Sequence, residues 1–167
     1  RDCGVAALAT VAKHFGSVFS IAHLRELAKT DREGMTALGL VKAAEALNFD
    51  TRVLQADMTL FDMDDVPYPF IAHVNKDGKL LHYYVVYASK KDKLIIADPD
   101  PDVGVIKMSK ERFASEWTGV SIFLAPSVNY KVQKGDENSL WHFLPLLYKQ
   151  KGLIANIIMA SFLVTVI

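Results

Sequence analysis

The chain has 167 residues, the length of one ordinary domain of roughly 100 to 200 residues, so a second unit must be small or incomplete. Lys plus Arg and Asp plus Glu both total 19, which leaves no net charge to attract nucleic acid, and no nucleic-acid partner is expected. The single cysteine excludes an internal disulfide and most Cys-rich zinc sites, and it suits a reducing compartment.

Helical periodicity dominates the first third of the sequence. From residue 3 to 15 apolar residues recur at helical spacing, with Asp2 in the N-cap position and Gly16 where a helix ends. Similar patterns predict a second helix over 20–29 and a third over 36–47.

After Asn48 the pattern changes to that of β-strands. Strands are predicted over residues 49–54, 69–74, 80–88, 94–97 and 120–125. Between the last two lie a Pro- and Asp-rich loop and a short helix from about Ser109 to Trp117. Helices first and an antiparallel sheet second predict an α+β domain.

The C-terminal part of the sequence divides into a linker and an apolar segment. Residues 126–138 are polar without apolar periodicity, which predicts a linker after a domain over 1–125. Residues 139–167 are predicted to form a juxtamembrane helix and the start of a first transmembrane helix, because Leu153 to Ile167 carries no charge. Spanning a bilayer needs about 20 apolar residues, so a buried helix of a soluble domain remains the alternative.

The charges before this apolar run predict an orientation. Lys149 and Lys151 directly precede it, and by the positive-inside rule their side faces the cytoplasm. The folded domain is expected on that cytoplasmic side of the cell membrane, where a reduced cysteine is also expected.

Cys3 is the candidate nucleophile. It lies in the first turn of the first predicted helix, where the positive end of the macrodipole stabilises a thiolate. The alternative is a small buried hydrophobe, a common fate of a free cysteine. A thiolate nucleophile also needs an imidazole to carry the proton and a third group to orient that imidazole.

Five histidines compete for the imidazole role. His14 and His23 lie in the predicted early helices, and His142 lies beyond the linker. His73 and His82 are left, on neighbouring strands of a predicted hairpin.

The predicted strand register favours His82 and adds Asp98. With His73 opposite Leu81, His73 and His82 fall on opposite faces of the sheet, so only one of them can face the cysteine. A three-residue loop at 89–91 in the next hairpin brings His82 directly opposite Asp98, about 5 Å away. A bulge there would shift this pairing, and taken alone Asp98 before proline could be ordinary turn chemistry.

The alternating aspartates of the Pro- and Asp-rich loop also suggest a calcium site. Asp98, Asp100 and Asp102 have the spacing of calcium ligands. Val103 and Ser109, however, stand at the sixth and twelfth positions, where such a loop needs glycine and a bidentate acid. No metal is therefore expected.

Three short strings in this order resemble the leader-peptidase domain of peptidase-containing ABC transporters, which export bacteriocins and quorum-sensing peptides. They are Asp2-Cys3-Gly4 before an apolar helix, residues 82–86 (HYYVV), and Ala97-Asp98-Pro99. The resemblance implies a papain-like cysteine peptidase, a thiol protease in which Cys3 is the nucleophile, His82 the general base and later acid, and Asp98 the residue that orients His82.

The resemblance also implies the partners. The substrate is a precursor peptide whose amphipathic leader ends in Gly-Gly and is cut after the second glycine. The other partners are the membrane and the transporter's transmembrane and nucleotide-binding domains. No cofactor is expected in the peptidase domain, and ATP would bind elsewhere because the sequence has no phosphate-cradling glycine loop.

An upstream glutamine completes the family's oxyanion hole. This sequence begins two residues before Cys3 and without an initiating Met, so a truncated N-terminus is expected. Loss of one oxyanion-hole donor costs on the order of 100- to 1,000-fold in rate, so peptidase activity is expected to be impaired.

Two alternatives remain open. The first is a leader-binding module that recruits the peptide without cutting it, although such relatives usually lack the nucleophile. The second is acyl transfer of the transglutaminase or acetyltransferase kind, in which a membrane helix after the domain would be unexpected.

Overall fold

The structure is a computed structural model that describes residues 2–28, 36–100, 102–135, 152, 161 and 162. Its helices and strands are, in chain order, α1 (Cys3–His14), α2 (Ile21–Ala28), α3 (Ala37–Ala46), β1 (Phe49–Gln55), a 3₁₀ helix (Met58–Asp62), β2 (Phe70–Lys76), β3 (Leu80–Lys90), β4 (Lys93–Asp98), β5 (Gly104–Ser109), α4 (Lys110–Glu116) and β6 (Trp117–Pro126).

Local chemistry accounts for the ends of the N-terminal helices. Gly16 has a φ of 87°, and the N–H groups of Gly16 and Ser17 donate to the carbonyls of Lys13 and Ala12. These are the two hydrogen bonds of a Schellman motif, so α1 ends where the glycine predicts. Helix α3 begins as expected as well, because the Thr36 side chain accepts a hydrogen bond from the Gly39 N–H at 3.1 Å.

Asp2 occupies the N-cap position of α1, but its side chain makes no capping hydrogen bond. Its carboxylate instead accepts a hydrogen bond from Arg25 Nε at 2.8 Å, which ties the start of α1 to α2. Helix α2 was predicted to reach Lys29, which lies outside the described residues.

The six strands form one antiparallel sheet in the order β1-β6-β2-β3-β4-β5. Alternate residues of the strands pack into two separate cores. Ile71, Tyr83 and Val85 join the core that includes α1 and α3, whereas Tyr84 joins the core that includes Phe113 of α4. The predicted α+β class, with N-terminal helices packed on an antiparallel sheet, is confirmed.

Strand β5 was predicted as part of a loop, and that prediction was wrong. Residues 104–109 pair with β4 along its whole length, from Asp98 with Gly104 to Lys93 with Ser109. Because β5 is an edge strand with exposed positions such as Val105, its sequence lacks the apolar run of a central strand.

The register of the first hairpin differs from the predicted one by two residues. His73 pairs with Tyr83 rather than Leu81, and Val74 pairs with His82. A shift by two residues leaves every side chain on its face, because side chains alternate along a strand. His73 and His82 therefore lie on opposite faces, as expected.

The predicted direct pairing of His82 with Asp98 is wrong. Lys90 pairs with Lys93, so the connecting turn has two residues rather than three, and a bulge lies between Val86 and Ala88. Beyond the bulge the last described pair is Val85 with Ala97. Continued by one pair, this register makes His82 and Asp98 diagonal neighbours on one face, still within reach of each other.

Residues 127–135, here called the C-terminal strap, lie against the domain, although residues 126–138 were expected to be a linker. The Tyr130 hydroxyl donates to Ser17 Oγ at 2.6 Å, and the Val18 N–H donates to the Gln133 carbonyl at 2.8 Å. The chain divides into two compact units, Arg1–Gly135 and Asp136–Ile167.

The predicted juxtamembrane and membrane segment, 139–167, lies outside the described residues apart from 152, 161 and 162. Within the described ranges, no helix has both the length and the apolar character needed to cross a bilayer.

Candidate active site

Cys3 is the first residue of α1, and its thiol lies close enough to the imidazole of His82 for each group to shift the pKa of the other. The cysteine is half-buried and packs against the core formed by α1 and the sheet. The N-terminal position of Cys3 thus brings its sulfur to the beginning of β3.

His82 is the third residue of β3 and is buried. Its Nε2 lies 2.6 Å from Asp98 Oδ1, which leaves Nδ1 as the ring nitrogen that can bond to Cys3. The Tyr84 ring packs edge-on against the imidazole, with centroids 5.5 Å apart. The ring is therefore held from three sides.

His82 meets Cys3 although strand alternation assigns it to the face opposite α1. It pairs with Val74, a member of the core on the α4 side, whereas His73 pairs with Tyr83 on the α1 side. The last described β3–β4 pair involves Val85, so β3 is not paired with β4 at His82.

Asp98 is the last residue of β4, and its side chain is only 2% exposed. Oδ1 accepts hydrogen bonds from His82 and, at 3.0 Å, from the Asp100 N–H. Oδ2 accepts from Lys76 Nζ at 2.6 Å. Both carboxylate oxygens are therefore occupied by donors.

Sequence reasoning did not identify Lys76. It is the last residue of β2 and directly precedes a polar turn, a common place for a solvated lysine. The sequence does place Lys76 on the same face of the sheet as His82, because it lies two residues after Val74, the partner of His82. That signal was too weak to single out one lysine.

The environment of the site lowers the pKa of Cys3 and raises that of His82, and both changes are in the direction of a thiolate beside an imidazolium. Burial raises the pKa of the Cys3 thiol, but the hydrogen bond and charge of His82, together with smaller effects of the Gly4 N–H and the N-terminal charge, bring the pKa below its ordinary value. Burial lowers the pKa of His82, and its bonds to Cys3 and Asp98 outweigh that effect and raise the pKa. A thiolate can attack a carbonyl, and an imidazolium can donate a proton to a leaving group.

The pKa values of Asp98 and Tyr83 are also shifted, in directions that agree with charges on Cys3 and His82. Burial raises the pKa of Asp98, but Lys76, the Asp100 N–H and His82 together bring it below the ordinary aspartate value. Burial and the adjacent Cys3 charge raise the pKa of Tyr83 to about 12, so this phenol stays neutral.

None of the other described histidines is hydrogen-bonded to Cys3, His82 or Asp98, although His14 lines a cavity beside Asp98. His73 Nδ1 lies 2.9 Å from Thr118 Oγ1. His14 packs against Phe15 and Tyr87, and His23 stacks on Phe19. His142 lies outside the described residues.

A cavity of about 510 Å³ lies beside Asp98, between α1 and the β4–β5 turn. Ala6 and Thr10 line it on the helix side, and Pro99 and Asp100 line it on the other. In the described part of the chain, no three His, Cys, Asp or Glu side chains come together in a way that could hold a metal ion.

A family model described as Peptidase C39 family matches residues 1–129. The chain therefore belongs to the peptidase C39 family, a family of cysteine peptidase domains, and the resemblance read from the sequence is confirmed.

The chain is also similar to two transport/processing ATP-binding proteins. The transport/processing ATP-binding protein ComA of Streptococcus pneumoniae is 60% identical over 99% of this chain. The mesentericin-Y105 transport/processing ATP-binding protein MesD of Leuconostoc mesenteroides is 58% identical over 100% of it. The chain spans 23% of the length of each of these relatives.

Solved structures agree with this family. The crystal structure of the peptidase domain of Streptococcus ComA matches with a TM-score of 0.74 and 64% identity, over 76% of this chain and 93% of that one. A double glycine motif protease from an AMS/PCAT transporter, solved with its leader peptide, matches with a TM-score of 0.66 and 25% identity, over 75% and 85% of the two chains. The papain-like fold implied by the resemblance is thereby confirmed.

Proposed function

We propose that this chain is the cysteine endopeptidase domain of a peptide-exporting ABC transporter, with Cys3 as nucleophile, His82 as general base and acid, and Asp98 as the residue that orients His82. The observation that carries the proposal is the continuous set of contacts from the Cys3 thiol through the imidazole to the buried carboxylate. No cofactor takes part.

The reaction follows from the charges of the site. The Cys3 thiolate attacks the carbonyl carbon of the scissile peptide bond, and the N–H of Cys3 can donate to the resulting oxyanion. Collapse of the tetrahedral intermediate breaks the C–N bond, and His82 gives its proton to the leaving amine. Neutral His82 then takes a proton from water, which attacks the thioester and restores the Cys3 thiolate and the imidazolium.

The substrate class comes from the relatives. Two of them are named as transport/processing proteins, and a structural relative is a double glycine motif protease in complex with a leader peptide. The substrate of this chain is therefore a precursor peptide with an amphipathic leader, cut after Gly-Gly. Its other partners are the membrane and the rest of the transporter, which binds ATP, and the peptidase domain lies on the cytoplasmic side.

The experiment is cleavage of a synthetic precursor peptide whose leader ends in Gly-Gly, analysed by mass spectrometry. We expect one cut, after the second glycine. The assay uses this chain and a version extended upstream to include a glutamine, which adds an oxyanion-hole donor. Cys3→Ala and His82→Ala should abolish cleavage, because one removes the nucleophile and the other the proton carrier.

His23→Ala is the matched control, since His23 is exposed on α2, and it should cleave normally. Cleavage that survives Cys3→Ala would overturn the mechanism. Binding without cleavage by the unmutated extended chain would favour a leader-binding module instead.

A further inference from the structure

Lys76 makes an ion pair that the family resemblance did not lead us to expect. It ends β2, whereas its partner Asp98 ends β4, and β3 lies between these strands in the sheet. The Lys76 side chain therefore reaches across β3 to place Nζ 2.6 Å from Asp98 Oδ2. Its side chain is 20% exposed, so this contact is largely shielded from solvent.

The two oxygens of Asp98 have separate donors. Oδ1 accepts hydrogen bonds from His82 Nε2 at 2.6 Å and from the Asp100 N–H at 3.0 Å, while Oδ2 accepts one from Lys76 and from no other group in the described part of the chain. Rotation of the carboxylate away from the imidazole would break the ion pair with Lys76. Lys76 thus acts on His82 through Asp98, and in the described part of the chain it makes no hydrogen bond to Cys3.

We propose that Lys76 is a positioning residue that clamps Asp98 and balances its negative charge, so that Asp98 orients His82 without an uncompensated buried carboxylate beside it. This inference rests on the proposed function, because it assigns a role around the same imidazole.

Charge balance gives the proposal its physical reason. When Cys3 is a thiolate and His82 an imidazolium, Cys3, His82, Asp98 and Lys76 carry alternating charges from α1 through β3 and β4 to β2, and their formal sum is zero. Removing Lys76 leaves a net negative charge in a largely buried site. A nearby negative charge disfavours loss of the thiol proton, so Cys3 then forms a thiolate only at a higher pH.

The remaining groups around His82 leave this balance intact. Tyr84 packs on the imidazole from β3 and stays protonated, because burial and its hydrogen bond to Glu116 raise its pKa. Glu116 of α4 is itself paired with Arg112 at 3.0 Å. Asp100 faces Asp98 through its backbone N–H.

The experiment measures how the alkylation rate by iodoacetamide depends on pH. Cys3 is the only cysteine, so the reaction reports on this one thiol without any peptide substrate. In Lys76→Met we expect the rise of the rate with pH to move upward by about half a pH unit or more, because a positive charge near the site is lost. Lys76→Arg keeps the charge and should keep the wild-type profile.

Three further variants complete the test. Lys79→Met removes an exposed lysine from the same turn and should leave the profile unchanged. Asp98→Asn removes the carboxylate on which Lys76 acts, so adding Lys76→Met to Asp98→Asn should shift the profile by less than Lys76→Met shifts that of the wild type. Lys76→Gln replaces Lys76→Met if the latter fails to fold, with the same upward shift expected.

An unchanged profile in the folded Met or Gln variant would overturn the proposal. So would a lower rate at every pH without any shift, since that is the result of a purely structural role. Alkylation does not require peptide cleavage, so the two proposals can fail independently. Failure of the Gly-Gly peptide assay would overturn the proposed function but would not change the alkylation result.

Discussion

Two fully buried serines show how the same side chain can stabilise or destabilise this fold. Ser17 Oγ accepts hydrogen bonds from the Tyr130 hydroxyl at 2.6 Å and from the Gln133 N–H at 3.0 Å. Ser121 Oγ, in the middle of β6, has no hydrogen-bond partner among the described residues. A buried hydroxyl without a partner costs about 1 to 3 kcal/mol, so the two serines should respond oppositely to truncation.

Replacing each serine by alanine tests this difference. Ser121→Ala should raise the free energy of unfolding by about 1 kcal/mol, because it removes an unpaired polar atom. Ser17→Ala, its matched control, should lower that free energy by about 1 to 3 kcal/mol, because the partly buried Tyr130 hydroxyl and the Gln133 N–H lose their acceptor. Urea unfolding measures both. A loss of stability in Ser121→Ala as large as that in Ser17→Ala would contradict the interpretation.

At the scale of whole elements, α1 connects the candidate site with the C-terminal strap. Cys3 is at its N-terminal end, and Ser17 follows directly after its C-terminal turn. The strap is bound there and at Asn48, whose carbonyl accepts from the Ser127 N–H at 3.0 Å. The Tyr130 ring packs on Phe49, with centroids 4.7 Å apart.

The strap makes the end of the folded domain testable. A chain that stops at residue 126 should unfold with a free energy lower by at least about 2 kcal/mol than a chain that stops at 135, since each lost hydrogen bond contributes about 1 kcal/mol and Tyr130 also loses its packing. Thermal and urea unfolding of the two chains provide the comparison. Equal stabilities would show that the domain closes near residue 125, as its composition predicts.

At the scale of the whole molecule, folding shifts the pKa values of the buried Asp98 carboxyl and the buried His82 imidazole in opposite directions, and this links stability to pH. The pKa of Asp98 is lowered by folding, so its contribution is complete above the ordinary aspartate pKa of about 3.9 and is lost as pH falls through the lower folded value. The pKa of His82 is raised, so its contribution is complete below about 6.5 and is lost as pH rises through the higher folded value.

We therefore expect the unfolding free energy of the wild type to fall more steeply below about pH 4 than that of Asp98→Asn, which has no proton to bind at this position. Urea unfolding at pH steps from about 2.5 to 6 measures both slopes. The other carboxylates are common to both proteins and cancel in the difference. Parallel curves would contradict the lowered pKa of Asp98.

Much of the fold follows from local patterns. The Schellman motif at Gly16, the cap at Thr36 and the α+β order depend on a few neighbouring residues, so the sequence reveals them directly. The opposite faces of His73 and His82 also survived an error in register, because alternation is unchanged by a shift of two residues.

The candidate site required both the sequence and the tertiary structure. Cys3, His82 and Asp98 could be chosen from the sequence, because residue types, order and spacing limit the candidates to a few. How they meet could not be predicted: the two-residue turn and the bulge between Val86 and Ala88 together make His82 and Asp98 diagonal rather than direct neighbours. Strand alternation alone would have assigned His73 to the α1 face.

The sequence by itself therefore determined the class of fold and the identity of the three candidate residues, because these depend on local periodicity and on short strings. Only the tertiary structure decided the β3–β4 register, the reach of Lys76 across β3 and the docking of the strap on Ser17. The physical reason is that the contacts of Lys76 and of the strap join residues far apart in the chain, and that the register depends on a bulge as well as on the turn, so no local pattern in the sequence specifies them.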